Sequence, residues 1–250
     1  MSLYVGTHKK IKFPNTDWII PIGLNGFKDE NVLICDSDGH VSRSISQRNK
    51  NYCELTGLYW LWKNSNDNFI GLCHYRRFFS FNHYNGVGYN YPSFLKIDEE
   101  DTALEFITSD SQKNCMLKIL NSFEVIVPRP IIHPETVSVA FQHAHGQFIW
   151  DIFLKACRKE FGYDMSYFDC ETRFYFGNMF VAKNNFFKDY CETLFRVVDQ
   201  VFDEIGDLPN EPGVRYQKNR YPGYLAERFM GLYLHKTRSR FFEAPTIWLP

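Results

Sequence analysis

Basic side chains follow a strongly apolar segment near residue 73. Residues 69–73 (FIGLC) are typical of a buried central strand, and His74, Tyr75, Arg76 and Arg77 come directly after them. Neighbouring residues of an extended segment point to opposite faces, so at most one of the two arginines needs to face a cleft. Because a guanidinium forms paired hydrogen bonds with phosphate oxygens, this strand end is a candidate phosphate site. Pairing of both arginines with structural acids is the alternative.

Three carboxylates are candidates for metal binding or proton transfer. Asp36 and Asp38 lie in an Asp-Ser-Asp-Gly turn whose Asp-x-Asp spacing can hold a divalent cation against a diphosphate, although an Asx turn needs no metal. Glu227 falls in the first turn of a predicted helix. It is a candidate general base, and the alternative is a carboxylate that complements the helix dipole.

Two further segments carry polar groups at the edge of predicted strands. Thr7, His8 and Lys9 follow the first strand and either meet a nucleotide phosphate or form a solvated basic turn. In the predicted strand 173–181, Gly177 and Asn178 interrupt an apolar run. A glycine there indicates close approach by a ligand or by another backbone, so Asn178 is a candidate partner for a sugar hydroxyl, with a β-bulge as the alternative.

Several familiar catalytic motifs do not occur in the sequence. It contains no GxxxxGK[ST], GxGxxG, GxSxG or HExxH motif, so P-loop, dinucleotide-binding, hydrolase-elbow and zincin functions lack support. His143 and His145 form an HxH pair. Without clustered Cys or acidic residues, such a pair is more typical of polar packing than of a metal site.

The elements that must position these groups alternate between apolar strands and amphipathic helices, which predicts an α/β layered fold. In a mostly parallel sheet, ligands bind at the carboxyl ends of the strands. Asn51 and Glu54 have the spacing of a capping pair at the start of a helix. Residues 81–92 contain Asn, Gly, Tyr and His without periodicity, which predicts a long surface loop. The remaining predicted strands are 3–5, 18–22, 32–35 and 124–127, and the remaining predicted helices are 141–161, 185–205 and 224–236.

Composition excludes several classes of protein. The sequence is 44% hydrophobic and 23% charged, which excludes a mainly disordered or coiled-coil protein. Its length of 250 residues predicts one domain. The net charge of −1 argues against a nucleic-acid partner. The 24 Phe, 15 Tyr and 5 Trp predict rings at the surface or in a cleft, where flat faces suit sugars and bases. The 7 Cys without CxxC spacing, and the lack of a leader-like segment, predict a cytoplasmic protein.

Two blocks of the sequence resemble the paired signatures of a bacterial family. Residues 51–64 (NYCELTGLYWLWKN) and 70–78 (IGLCHYRRF) are similar to a family long described as a domain of unknown function and associated with capsular and exopolysaccharide glycosyltransferases. The resemblance continues in residues 7–9, 127–130, 176–180 and 223–228. It therefore covers nearly the whole chain.

The resemblance implies a GT-A-like, Rossmann-like fold with a mostly parallel sheet flanked by helices. It implies a single glycosyltransferase domain, with a nucleotide-sugar part at about residues 1–130 and an acceptor-side part at about 131–250. The donor would be a UDP-sugar, with UDP-galactofuranose as one candidate. The acceptor would be a lipid-linked oligosaccharide at the inner membrane face, so peripheral membrane contact is expected.

For mechanism, we expect an inverting reaction in which fixed cations replace a metal ion. Glu227 is the first candidate base and Asp38 the second. Rival hypotheses are a non-catalytic carbohydrate- or nucleotide-binding protein, and a transferase that needs Mn²⁺ or Mg²⁺ held by Asp36 and Asp38. The candidate diphosphate-binding residues are Thr7, His8, Lys9, His74, Tyr75, Arg76, Arg77, Arg129 and Arg228. The candidate sugar-binding or stacking residues are Glu54, Asn178, Trp60 and the tyrosines of residues 84–91. For Trp60, packing in the core is the alternative.

Overall fold

A ten-stranded sheet with helices on both faces forms the centre of the computed structural model, which describes residues 1–12, 16–82, 94–97, 99–210, 213 and 216–249. The strands among these residues are β1 (Ser2–Thr7), β2 (Ile19–Gly23), β3 (Ile34–Cys35), β4 (Phe69–His74), β5 (Arg77–Phe79), β6 (Phe94–Lys96), β7 (Val125–Pro128), β8 (Ile131–Ile132), β9 (Arg173–Phe174), β10 (Phe180–Lys183), β11 (Phe241–Ala244) and β12 (Thr246–Trp248). Strands β8 and β9 form a separate antiparallel pair.

Strands β4, β1, β2 and β3 lie side by side in that order and run parallel. Strand β10 is antiparallel to both of its neighbours, β4 and β7, and β11 is parallel to β7. Strand β12 adds β5 and β6 at the edge. Because Gly6 lies opposite His74, the carboxyl ends of β1 and β4 meet at one edge of the sheet. The predicted α/β fold with a largely parallel sheet is confirmed.

Helices cover the sheet on both faces, and each face has its own apolar core. The helices are α1 (Asn49–Tyr52), α2 (Leu55–Asn64), α3 (Glu100–Thr108), α4 (Asp110–Ser122), α5 (Val137–His145), α6 (Gln147–Phe161), α7 (Tyr167–Cys170), α8 (Asn184–Ile205) and α9 (Tyr221–Thr237). Alternate residues of β1 divide between the two cores, since Leu3 and Val5 pack with α3 and α4, and Tyr4 packs with α2, α8 and α9. No helix in the described part of the chain is long and apolar enough to cross a membrane.

The predicted capping pair at Asn51 and Glu54 is wrong. Asn51 lies inside α1, where its side-chain amide donates to Asp207 Oδ1 at 2.8 Å and to the Asn219 carbonyl at 3.1 Å. The chain then turns at Cys53, which has a φ of 51°, before α2 begins at Leu55. The side chain of Asn51 therefore ties α1 to the segment before α9.

Glycine and asparagine turns divide two elements that the apolar pattern predicted as continuous. The predicted strand 173–181 consists of β9 and β10, separated at Gly177 (φ 82°) and Asn178 (φ 51°). The predicted helix 141–161 consists of most of α5 and all of α6, which meet at Gly146 with a φ of 95°. Most of the predicted loop 81–92 lies outside the described residues.

Candidate active site

A cleft of about 700 Å³ opens where β1 and β4 end. One wall comes from Gly6 and His8, from the turn after β4 and from α1. The opposite wall comes from the turn at Gly177, from the start of α9 and from the C-terminal strand β12. The cleft therefore lies at the sheet edge where ligands of parallel α/β folds bind.

Four basic side chains form what we call the cationic rim: His8, Lys9, Arg76 and Arg220. Three of them surround Tyr75, with Lys9 Nζ 5.0 Å, the Arg76 guanidinium 5.3 Å and the His8 ring centre 5.4 Å from the centre of the tyrosine ring. Burial lowers the pKa of His8, and the charges of Lys9, Arg220 and Arg76 lower it further. His8 is therefore neutral near pH 7, and the three positive charges of Lys9, Arg76 and Arg220 create a potential that attracts anions.

Arg77 lies deeper and is held by aromatic rings. Its guanidinium carbon is 4.3 Å from the ring centre of Phe176 and 4.7 Å from that of Trp248. Burial lowers the pKa of Arg77, and the carboxylates of Glu227 and Glu54 act in the opposite direction. Stacking holds a guanidinium by its face and keeps its N–H edge for hydrogen bonds, so Arg77 is suited to bind an oxyanion.

Glu227 places a buried carboxylate in the cleft. Its Oε1 accepts the backbone N–H of Gly177 at 2.8 Å, and its Oε2 pairs with Arg228 Nη1 at 2.6 Å. The pKa of Glu227 is raised, chiefly by burial. The positive charge of Arg228 opposes this shift, and the negative charge of Glu54 adds to it. A carboxylate with a fixed orientation and a raised pKa has the properties of a general base.

His74 binds the same turn as Glu227. Its Nε2 lies 2.5 Å from the Gly177 carbonyl, and a carbonyl can only accept, so Nε2 donates. Burial lowers the pKa of His74, which keeps the ring neutral. A neutral imidazole has one N–H, and here it is used on Gly177. His74 therefore has no free N–H for the predicted hydrogen bond to a phosphate or sugar.

Glu54 and Arg220 are each oriented by one neighbouring side chain. Asn178 Nδ2 donates to Glu54 Oε1 at 2.7 Å and to the Gly223 carbonyl at 3.0 Å. Arg220 Nε donates to Cys53 Sγ at 2.9 Å, and burial raises the pKa of the Cys53 thiol to about 11. Asn178 thus orients a cleft carboxylate, and Cys53 orients a guanidinium of the cationic rim.

Comparison with known proteins places the chain in a family. The family described as "Domain of unknown function (DUF4422)" matches residues 2–238. The chain belongs to the DUF4422 family. A structure titled "WbbM bifunctional glycosytransferase apo structure" superimposes with a TM-score of 0.79 and 24% sequence identity. The match covers 99% of this chain and 45% of that one, and it shows a shared fold. No curated protein sequence matches the chain significantly.

In this DUF4422 chain, Asp36 and Asp38 brace a turn away from the cleft. Asp36 Oδ1 accepts the Gly26 N–H at 2.9 Å, and Oδ2 accepts the Asn25 N–H at 3.0 Å and the Thr56 hydroxyl at 2.5 Å. Asp38 Oδ2 accepts the Cys35 N–H at 2.9 Å, and Oδ1 pairs with Lys28 at 2.7 Å. Asp36 is fully buried and both carboxylates are held by these donors outside the cleft lining, so this pair does not fit a divalent cation that binds a diphosphate. The described residues hold no cluster of three or more His, Cys, Asp or Glu able to bind a metal.

Besides Lys9 and Asn178, whose contacts are described above, four other predicted site residues of the DUF4422 chain do not line the cleft. Thr7 is buried and donates to the Lys9 carbonyl at 2.7 Å, and Trp60 Nε1 donates to the Asp38 carbonyl at 2.7 Å. Arg228 lies behind Glu227, with its guanidinium carbon 4.5 Å from the ring centre of Phe174. Arg129 follows β7, where its N–H donates to the Ala244 carbonyl at 2.7 Å. The tyrosines of residues 84–91 lie outside the described residues.

Among the cleft residues that were not predicted as site residues from the sequence are Lys50, Arg220 and Trp248. Lys50 directly precedes the block 51–64, and Arg220 precedes the block 223–228, so proximity to these blocks was an available signal. Trp248 belongs to a strand that the sequence analysis did not predict. All three reach the cleft through long-range packing.

Proposed function

We propose that the chain transfers a sugar from a nucleotide-diphosphate donor to a saccharide acceptor. The observation that carries this proposal is the single cleft that brings Arg76, Arg77 and Arg220 together with the buried carboxylate of Glu227. Transfer from such a donor needs positive charge for the departing diphosphate and a base for the attacking hydroxyl. The fold shared with a glycosyltransferase structure supports the proposal.

The proposed reaction inverts the configuration of the transferred sugar. The acceptor oxygen attacks the anomeric carbon from the face opposite the diphosphate, and the new C–O bond forms as the bond to the phosphate oxygen breaks. The hydroxyl proton passes to Glu227. The electron pair of the broken bond leaves with the diphosphate, whose increasing negative charge Arg76, Arg77 and Arg220 stabilise.

The substrates we propose follow from the family resemblance. The donor is a UDP-sugar, with UDP-galactofuranose as the first candidate, and Tyr75 offers a ring face beside the cations for the base. The acceptor is a lipid-linked oligosaccharide of capsule, exopolysaccharide or O-antigen synthesis. Such an acceptor places the reaction at the cytoplasmic face of the membrane, with peripheral membrane contact.

We propose that the transfer needs no metal ion, because fixed cations occupy the diphosphate end of the cleft. The oxygens of Asp36 and Asp38 are used by backbone N–H groups, Thr56 and Lys28, which disfavours the metal-dependent alternative. Activity should therefore be unchanged after EDTA treatment and dialysis. Strict dependence on added Mn²⁺ or Mg²⁺ would contradict the proposal and support the metal-dependent transferase.

Release of UDP from a panel of UDP-sugars tests the proposed function. Wild-type protein should release UDP slowly with water as acceptor, and Arg76→Ala or Arg220→Ala should lower that rate by about 10²–10³, the usual loss when one stabilising donor is removed. Arg158→Ala, an exposed change on α6, is the matched control and should keep the wild-type rate. Binding of UDP without release from any donor would favour the non-catalytic binding protein.

A further inference from the structure

An aromatic wall extends the cleft on the side of Glu227. We define the wall by Tyr224, His145 and Tyr216. The rings of His145 and Tyr224 are stacked, with centres 4.4 Å apart and planes at 21°. Tyr216 meets His145 and Tyr224 edge-on, at 5.3 Å and 6.1 Å between ring centres. Because Tyr224 also lines the cleft, the wall is continuous with the proposed active site.

The wall exposes both apolar and hydrogen-bonding surface. Tyr216 is 39% exposed. His145 forms no hydrogen bond or ion pair with any residue that the structure describes, and burial together with the charge of Arg228 lowers its pKa to about 3. The imidazole is therefore neutral near pH 7 and has one N–H donor and one bare nitrogen acceptor. Unpaired groups of this kind are the ones that orient a ligand in an otherwise apolar site.

We propose that the aromatic wall binds a sugar ring of the saccharide acceptor, a proposal that rests on the glycosyltransferase function above. A sugar ring has an apolar C–H face and a rim of hydroxyl groups. The C–H face packs against the rings of Tyr224 and Tyr216, and His145 exchanges hydrogen bonds with a hydroxyl. The wall therefore offers a separate surface for each part of the sugar.

The position of the wall on α9 connects it with the proposed base. Tyr224 and Glu227 are three residues apart on this helix, so they lie on the same helical face, and both line the cleft. A sugar packed on Tyr224 consequently presents its hydroxyls beside the Glu227 carboxylate. This arrangement brings the attacking oxygen and the proton acceptor together, as hydroxyl attack requires.

Charge distinguishes the wall from the donor end of the cleft. Beside the wall, Arg228 is paired with Glu227 at 2.6 Å and donates to the Tyr224 carbonyl at 3.2 Å. Three residues of the cationic rim, Lys9, Arg76 and His8, instead surround Tyr75, and the charge of the fourth, Arg220, also acts on Tyr224. A nucleoside diphosphate is drawn to the cationic rim, whereas the wall fits an uncharged ligand.

Ligand-observed NMR tests the proposal with methyl glycosides of glucose, galactose and mannose as probes, and calorimetry measures UDP affinity in parallel. We expect saturation transfer from the wild-type protein to at least one glycoside. Tyr216→Ala and His145→Gln should reduce this signal at least fivefold and leave the dissociation constant for UDP within twofold. Tyr163→Ala removes a tyrosine that is 92% exposed outside the wall, and it should retain both.

The outcomes separate the wall from the donor site. Unchanged glycoside signals in both wall variants, or no signal with wild-type protein, would overturn the proposal. A loss of UDP affinity in the wall variants would also overturn it, because the wall would then bind the nucleobase. Glycoside binding that the wall variants abolish, in a protein that never binds UDP, would support the wall as a saccharide site and contradict the proposed transferase function.

Discussion

At the scale of single residues, the properties of Glu227 depend on two neighbours, Gly177 and Arg228. The Gly177 N–H and Arg228 hold its two oxygens, and burial raises its pKa while Arg228 lowers it. The N–H can approach so closely because the turn at Gly177 has a φ of 82°, a conformation that favours glycine. The carboxylate is thus fixed in orientation and more basic than an exposed glutamate.

Glu227→Gln should lower kcat by about 10²–10⁴, the usual contribution of a general base. Because the base must be deprotonated, and its pKa is raised, wild-type kcat should fall with decreasing pH through a value above 4.5, the ordinary pKa of glutamate. Steady-state kinetics from pH 4.5 to 8 measures both effects. Glu204→Gln, on the exposed side of α8, is the control. A glutamine variant with wild-type kcat would remove Glu227 from the mechanism.

How far the sequence predicted the site depended on the sequence distance between partners. His74, Tyr75, Arg76 and Arg77 were predicted because they directly follow an apolar strand, and all four line the cleft. Arg220 is 167 residues from its partner Cys53, so no local pattern connects them. The Asp-x-Asp spacing of residues 36 and 38 was equally compatible with a structural turn, and only the hydrogen bonds distinguish the two.

At the scale of elements, long apolar patterns were predicted best and backbone turns worst. Helix α8 (Asn184–Ile205) lies within one residue of the prediction, and β4 was predicted as a buried strand. The pattern of apolar residues does not record backbone dihedrals. The positive φ angles of Cys53 and Asn178 therefore went unpredicted, although these residues end α1 and separate β9 from β10. Both turns orient side chains of the cleft.

The cationic residues Arg76 and Arg77 follow the carboxyl end of β4, and the position of this strand depends on Gly71. A Cβ at this residue would lie 2.8 Å from Leu3 Cδ1, 2.9 Å from Val181 Cγ2 and 3.0 Å from the Phe180 carbonyl oxygen. These atoms belong to β1 and β10, which flank β4 in the sheet. The neighbouring strands therefore leave no room for a side chain.

Gly71→Ala should reduce the free energy of unfolding by about 1–3 kcal/mol, because added volume in a packed core forces neighbouring atoms to move. Urea denaturation monitored by circular dichroism measures the change. Gly223→Ala is the matched control, since a Cβ there would find its nearest heavy atom, the Tyr52 carbonyl oxygen, 4.0 Å away. Equal stability of Gly71→Ala and wild-type protein would show that β1 and β10 adjust without cost.

At the scale of the whole molecule, the cleft joins the first and last parts of the chain. Strands β1 and β4 provide the cationic rim, and α9 provides Glu227 and Tyr224. Arg220, from the second half of the chain, completes the rim by contact with Cys53. The predicted division at about residue 130 remains a prediction, and the residues of this cleft come from both sides of it.

The same compact packing buries imidazoles, and this makes stability depend on pH. Burial is the largest cause of a lowered pKa at His74 and His145, and the pKa of His145 falls to about 3. A histidine whose folded pKa lies below the unfolded value of 6.5 contributes stability above pH 6.5, and that contribution is lost as the pH decreases. Glu227, with a raised pKa, acts in the opposite direction, so a variant must isolate one histidine.

His145→Gln provides that isolation, because it keeps a polar side chain and removes the titration. Between pH 7.5 and 5.0 the unfolded chain protonates this histidine while the folded protein does not, which costs wild-type protein about 2 kcal/mol of unfolding free energy. The variant should therefore lose about 2 kcal/mol less than wild type over this range in urea titrations at the two pH values. His235→Gln, near the end of α9, is the control substitution. Parallel losses in His145→Gln and wild type would mean that the His145 imidazole takes up a proton in the folded protein, and hence that the stack with Tyr224 admits a charge.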